Sequence, residues 1–206
     1  VTLHRELVQH EGGRLGIRWM PELTPNPDEL DKIAEVKKVA SGEELKLDGK
    51  TSYYLECKVK PQKNGRVGLV VSGSGKPFVF ELNTERQKVQ TLETDNINSF
   101  TEEVRALYEY IPEMPVERTS CAQIPSENIH THSHDFAIAN VRELMEDYTL
   151  KIILHYEKKS DSIVMDAEIG EGRTFVSNRP DFKVSGIKFL TENAEITDLK
   201  LCKMGE

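Results

Sequence analysis

Apolar and polar residues alternate with a period of two along both outer thirds of the chain. The clearest stretch is residues 53–60, in which the apolar positions are Tyr53, Leu55, Cys57 and Val59. The same alternation recurs in residues 67–71, 78–82, 88–92, 148–156, 163–169, 174–177, 184–190 and 196–201. Strict alternation of this kind is typical of β-strands that bury one face. The pattern therefore predicts an all-β fold.

Residues with turn chemistry separate these segments. Asn64-Gly65 predicts a tight hairpin, because both residues tolerate positive φ angles, and residues 73–77, 83–86 and 170–172 predict further turns. A change of phase between Ile196 and Leu199 predicts a β-bulge in the last strand. Because strands of this kind bury their apolar faces when two sheets pack together, we predict an antiparallel β-sandwich.

The middle of the chain has a different pattern. Ser99 and Glu102 have the spacing of a capping box, and residues 102–110 have helical spacing that ends before Pro112. Residues 135–141 alternate again and could add a strand. The stretch has too few apolar residues for a core of its own. We therefore predict a short helical or irregular insertion at about 93–147 in a sandwich domain that spans residues 31–206.

The N-terminal residues predict a separate segment. Val1 is followed at once by a strand-like pattern, so we expect this chain to be a piece of a longer protein. Gly12 and Gly13 can supply the positive φ angles of a turn between strands at residues 5–7 and 15–20. Residues 1–30 are thus predicted to form a hairpin and a linker that follow a missing N-terminal domain.

Composition excludes several classes of function. The chain has 206 residues and a net charge of −8, without a cluster of Lys and Arg, which argues against binding of nucleic acid or an anionic membrane surface. No apolar run approaches the roughly 18 residues that a membrane span needs. Cys57, Cys121 and Cys202 are too far apart for a CxxC metal site, although one disulfide is possible.

Two groups of side chains could carry chemistry. His130, His132 and His134 would share one face of a strand and could hold zinc or nickel, but a polar surface loop is the interpretation we favour. Asp166 and Glu168 are two apart on the polar face of a predicted strand, a spacing typical of the solvated side of a sheet. We therefore predict no catalytic residue, metal or cofactor in this chain.

Aromatic residues are candidates for binding sugar, since exposed rings stack on sugar faces. Trp19, Tyr54, Tyr108 and Tyr110 are the rings considered, with Trp19 and Tyr54 as the candidate carbohydrate-binding pair. The alternative is that Trp19 packs in an interface and the tyrosines belong to the core or its rim. We favour this second interpretation.

Two segments resemble the C-terminal β-sandwich of glycoside hydrolase family 32, the invertase, inulinase and levanase group. The first contains Arg5-Glu6-Leu7, Gly13-Arg14-Leu15 and Pro21-Glu22-Leu23. The second runs from Tyr148 through Gly172-Arg173-Thr174-Phe175 to Gly186-Ile187-Lys188-Phe189 and Ile196–Leu201. The stretch Glu157–Ser162 is longer than that family's usual turn, and the long insertion also departs from it, which indicates a divergent member.

The resemblance implies a concanavalin-A-like sandwich next to a five-bladed β-propeller that carries the catalytic carboxylates. Of the family's catalytic motifs, only the dipeptide Glu56-Cys57 occurs here, inside an alternating strand, and we interpret it as a coincidence. The implied function is a non-catalytic module with a structural or interface role towards the propeller. The alternative is an autonomous, lectin-like carbohydrate-binding module. The parent is expected to be secreted, periplasmic or on the cell surface.

Overall fold

The computed structural model describes residues 3–100, 136–138 and 140–205, which form an antiparallel all-β fold. Its strands are β1 (Arg5–Gln9), β2 (Leu15–Trp19), β3 (Asp31–Lys38), β4 (Glu44–Lys46), β5 (Tyr53–Gly73), β6 (Phe78–Asn83), β7 (Lys88–Glu93), β8 (Phe136–Ile138), β9 (Tyr148–Glu157), β10 (Ser162–Ile169), β11 (Arg173–Arg179) and β12 (Val184–Lys203). Short 3-10 turns occupy Glu11–Gly13, Pro21–Leu23, Pro27–Glu29 and Arg142–Met145. The all-β prediction is confirmed.

Two long strands, β5 and β12, connect the two layers of the sandwich. They have 21 and 20 residues and pair with each other along almost their whole length. The first half of β5 pairs with β9, and its second half pairs with β6. The first layer therefore runs β11–β10–β9–β5–β12–β3, and the second runs β8–β7–β6–β5–β12–β4.

The predicted hairpin at Asn64-Gly65 is wrong, because β5 continues through it. Asn64 has a φ of 60°, and β12 carries Asn193 with a φ of 47° opposite it. The β5–β12 register shifts at this point, between Glu192 and Ala194. A Cβ on Gly65 would lie 2.7 Å from the carbonyl oxygen of Asn193. The Asn-Gly pair thus bends a continuous strand from one layer to the other.

Side chains from both layers interlock to form the main core. Phe80 on β6 and Phe175 on β11 belong to different layers, yet their ring centroids are 5.3 Å apart. Phe78 and Phe182 meet edge-to-face at 5.4 Å. The predicted apolar positions of β5, β6, β9, β10 and β12 point into this core and are almost fully buried. The concanavalin-like sandwich is therefore confirmed.

The predicted turns and bulge are present, whereas the predicted insertion differs in part from the structure. The predicted turns at 73–77, 83–86 and 170–172 connect antiparallel neighbours, and the predicted bulge in β12 lies between Thr197 and Lys200. The predicted helix at 102–110 lies outside the described residues. The end of the predicted insertion, in contrast, belongs to the sandwich: β8 pairs with β7, and Val141 and Leu144 are buried in the core.

The N-terminal hairpin lies on the outer face of the first layer. Its strands β1 and β2 pair antiparallel with Arg5 opposite Trp19, and Gly12 and Gly13 both have positive φ in the turn. A connector with two 3-10 turns leads from Met20 to β3. The hairpin that the glycines predicted is present, and it packs on the sandwich itself.

Candidate functional site

The outer face of the first layer carries two rows of side chains that run across the strands. One row, here called the acid–base row, places opposite charges on successive strands: Glu168, Lys151, Glu56, Lys200 and Glu35. The row beside it consists of Asp166, Ile153, Tyr54 and Cys202. Because directly opposite residues in a sheet are close neighbours, alternating charges along a row stabilise one another.

The N-terminal hairpin covers one end of both rows. Asp166 accepts hydrogen bonds from the Arg5 guanidinium at 2.7 Å, from the Trp19 indole at 3.0 Å and from the backbone N–H of Leu3 at 3.0 Å. Glu168 accepts from the backbone N–H of Trp19 at 2.5 Å and from Lys151 at 2.8 Å. These contacts satisfy two carboxylates that would otherwise be costly to bury.

The prediction that Asp166 and Glu168 lie on a solvated face is therefore wrong. Both side chains are buried, because the hairpin covers the strand face that alternation marked as polar. Burial raises the pKa of Asp166 above its usual value, against the opposing effect of the Arg5 charge. Their hydrogen bonds to the hairpin make them structural anchors.

Trp19 and Tyr54, the predicted sugar-binding pair, pack together where the hairpin meets the first layer. Only 1% of Trp19 and 0% of Tyr54 is exposed, and both pack with Ile153 in a small cluster bordered by Leu3, Leu30 and Met204. Stacking on a sugar requires an exposed ring face, and these two rings have none. Their binding role stays a prediction, while their burial agrees with the interpretation that Trp19 packs in an interface. Tyr108 and Tyr110 lie outside the described residues.

A second set of contacts fixes the tip of the hairpin. Arg14 forms an ion pair with the buried Glu143 of the 142–145 turn, and Ile17 donates a backbone hydrogen bond to the carbonyl of Gly172 at 3.1 Å. A Cβ on Gly172 would lie 2.2 Å from an oxygen of Glu143. The sequence did not predict the roles of Arg5, Arg14 and Glu143, because no spacing in the chain relates them to their partners.

The hairpin exposes apolar side chains near its turn. Leu7, Leu15 and Ile17 share one face of the two strands with Arg5 and Trp19 by alternation and register, but they lie closer to the turn. Leu7 is 72% exposed and Leu15 is 64% exposed, although both are large hydrophobic side chains. Exposed apolar side chains that are grouped in this way are typical of interaction surfaces.

Beyond the hairpin, the acid–base row continues into an open cleft of about 290 Å³. Its lining residues come from β3, β5, β9 and β12: Glu35, Val36, Lys37, Glu56, Cys57, Lys58, Thr149, Asp198 and Lys200. Asp198, in the β12 bulge, accepts from Lys37 at 3.2 Å and lies 3.1 Å from the Lys58 ammonium. Hydrogen bonding to Lys58 and Lys37 lowers the pKa of Asp198.

Glu56 has a fixed orientation in this cleft. The buried Tyr54 hydroxyl donates to its Oε2 atom at 2.6 Å. Burial raises the pKa of Tyr54 well above its usual value, and the bond to Glu56 acts in the same direction. The phenol therefore stays protonated and keeps donating, which directs one oxygen of Glu56 towards Tyr54.

Two other expectations concern metals and membranes. His130, His132 and His134 lie outside the described residues, and the part of the chain that is described contains no group of three His, Cys, Asp or Glu side chains placed to hold a metal ion. None of the described helices has the length and hydropathy to cross a membrane.

No protein-family model matches the sequence, and no curated protein matches it. Among solved structures, an exo-inulinase from Aspergillus awamori matches 98% of this chain with a TM-score of 0.55 and 10% identity. A GH32 β-fructofuranosidase from Bombyx mori matches 98% with a TM-score of 0.52 and 12% identity. The galectin LEC-6 from Caenorhabditis elegans matches 81% of this chain with a TM-score of 0.47 and 11% identity.

At these identities the similarity shows the fold alone. This chain covers 35% of the exo-inulinase and 32% of the β-fructofuranosidase, so it spans about a third of each enzyme. It covers 94% of the galectin. The chain is therefore a β-sandwich of a shape found within glycoside hydrolases.

Proposed function

We propose that this chain is a non-catalytic β-sandwich that supports the β-propeller catalytic domain of a glycoside-hydrolase-like protein, and that its N-terminal hairpin contacts that domain. The observation that carries the proposal is a firmly held hairpin that exposes apolar side chains. Arg5 and Trp19 hold it to β10 through the buried Asp166 and Glu168, while Leu7 and Leu15, nearer the hairpin turn, are exposed. A firmly held element with large exposed apolar side chains suits a permanent interface between domains.

Two further observations support this role. The fold matches along 98% of the chain to a part of an exo-inulinase and of a GH32 β-fructofuranosidase, with the hairpin region included in that coverage. Among the described residues, the buried carboxylates Asp166, Glu168 and Glu143 each bind a hairpin residue. These contacts explain the burial of the three carboxylates by a structural role.

The interface is tested in the intact parent protein with the double substitution Leu7→Ser and Leu15→Ser. Burying a Leu side chain stabilises an interface by about 1.5 to 3 kcal/mol, so we expect the two domains to lose their coupled unfolding in calorimetry. The isolated 206-residue chain should keep its melting temperature, because both side chains are exposed in it. The sequence encoded before Val1 should contain a propeller-sized region.

The matched control is Ile33→Ser on β3, a side chain that is 46% exposed but lies away from the hairpin. It should leave the coupling unchanged. If the double variant unfolds like the unaltered parent, or if no propeller-sized region precedes Val1, the proposed interface role is wrong.

A further inference from the structure

The open cleft on the first layer is lined by charged side chains that have no part in the proposed interface. We infer that it binds a small, neutral, polyhydroxylated ligand such as an oligosaccharide. This inference is independent of the proposed interface, because the cleft is lined by residues other than the exposed Leu7 and Leu15 of the hairpin.

The charges in the cleft select against charged ligands. Its lining contains the carboxylates Glu35, Glu56 and Asp198 and the ammonium groups Lys37, Lys58 and Lys200, so acids and bases balance. A charged ligand would meet repulsion as well as attraction, and an apolar ligand would leave these groups without water. A ligand whose hydroxyls both donate and accept hydrogen bonds can satisfy both kinds of group.

The spacing of these groups favours several adjacent hydroxyls. Lys200 lies between Glu56 and Glu35 in the register, so acceptor, donor and acceptor succeed one another across three strands. Lys200 also donates to Asp28 at 3.2 Å and Glu35 accepts from Lys32 at 3.3 Å, and each keeps further hydrogen-bonding capacity for a ligand. Neighbouring strands are about 4.8 Å apart, which sets the step between the groups. A ligand with hydroxyls along its length can therefore contact charged groups of the acid–base row on more than one strand.

Two features hold the acceptors in place before a ligand arrives. Tyr54, which is fully buried, fixes one oxygen of Glu56 through its hydroxyl. Asp198 has a φ of 51° in the β12 bulge, and Lys37 and Lys58 flank its carboxylate. Bulges often direct a side chain towards a binding site. Tyr54 is thus a positioning residue for Glu56.

The inference is tested by NMR titration of the 206-residue chain with neutral sucrose and raffinose. Glucuronate and glucosamine serve as the charged comparisons. We expect saturable shifts at residues 35–37, 56–58, 149 and 198–200 with the neutral sugars, and weaker binding of both charged sugars. Glu56→Gln and Asp198→Asn should each reduce affinity about tenfold, as loss of a hydrogen bond to a charged group predicts.

Tyr54→Phe separates positioning from folding. It keeps the ring and its packing but removes the hydroxyl, so affinity should fall about threefold, as for loss of one modest hydrogen bond. Asp95→Asn, an exposed carboxylate away from the cleft, is the control and should bind normally. Absence of saturable shifts at the cleft, equal binding of the charged sugars, or full affinity in both Glu56→Gln and Asp198→Asn would overturn the inference.

Discussion

The indole N–H of Trp19 donates a 3.0 Å hydrogen bond to the carboxylate of Asp166, although 147 positions separate the two residues in the chain. Asp166 also binds Arg5, which lies opposite Trp19 in the hairpin register. One buried carboxylate thus connects both hairpin strands to β10 of the first layer. The hairpin is therefore an integral part of the sandwich surface.

Trp19→Ala should destabilise the chain strongly. It removes a buried indole and leaves Asp166 without one of its donors, and truncation of a buried Trp costs about 3 to 5 kcal/mol. Urea unfolding measures this loss directly. Leu7→Ala, in the same hairpin but at an exposed position, is the control and should change stability by less than about 0.5 kcal/mol. Equal effects of the two substitutions would contradict the burial of Trp19.

Asp166 should make the unaltered chain less stable, relative to Asp166→Asn, as pH rises from about 4. Burial raises the pKa of Asp166 in the folded state, so the folded chain holds this proton more tightly than the unfolded chain does. The contribution is fully present below the unfolded pKa of about 3.9 and is lost as pH rises through the folded pKa. Urea unfolding of both proteins between pH 3.5 and about 6 measures the difference. A difference that changes in the opposite direction would show that the Arg5 charge outweighs burial.

Gly172→Ala should destabilise the chain by about 1 to 3 kcal/mol, the usual cost of adding a methyl group to a filled space. The new Cβ would meet the Glu143 carboxylate, which is held by Arg14 of the hairpin. Thermal unfolding measures the loss. Gly205→Ala is the matched control, since no atom lies within 4 Å of its added Cβ. A neutral Gly172→Ala would mean that the 142–145 turn does not pack against Gly172.

Cys57 and Cys202 should resist thiol reagents in the folded chain. Both are buried free thiols, and burial raises the pKa of each, which lowers the fraction of reactive thiolate. The experiment uses a Cys121→Ser variant, because Cys121 lies outside the described residues. An aromatic disulfide reagent should label both remaining thiols only after the chain unfolds. Rapid labelling of the folded variant would contradict the buried positions.

The strands could be predicted from the sequence because each buries one face. A strand with one buried face has apolar and polar residues in alternation along the chain. The alternation is clear in β5, where four apolar side chains point into the core: Tyr53, Leu55, Cys57 and Val59. The bulge near Asp198 could also be predicted, because a bulge changes the phase of alternation. Neither signal depends on what the opposite face of the strand contacts.

Asn64-Gly65 illustrates where local chemistry is ambiguous. Positive φ angles are needed in a tight hairpin and also at a bend within a strand, so the same dipeptide suits both. In this chain the dipeptide forms a bend and not a hairpin, because β12 pairs with β5 on both sides of it. That pairing joins residues more than a hundred positions apart and leaves no local sequence signal.

Alternation along the chain is sufficient to assign the strands, their buried faces and the all-β class. Which polar faces are covered depends on contacts made in the folded chain. Asp166 and Glu56 are both polar residues on outward strand faces, yet the first is buried under Trp19 and the second lines an open cleft. Alternation distinguishes the two sides of a strand. The position at which the hairpin packs on the sheet depends instead on contacts between residues that are distant in the chain. For that reason the candidate sites became visible only in the folded chain.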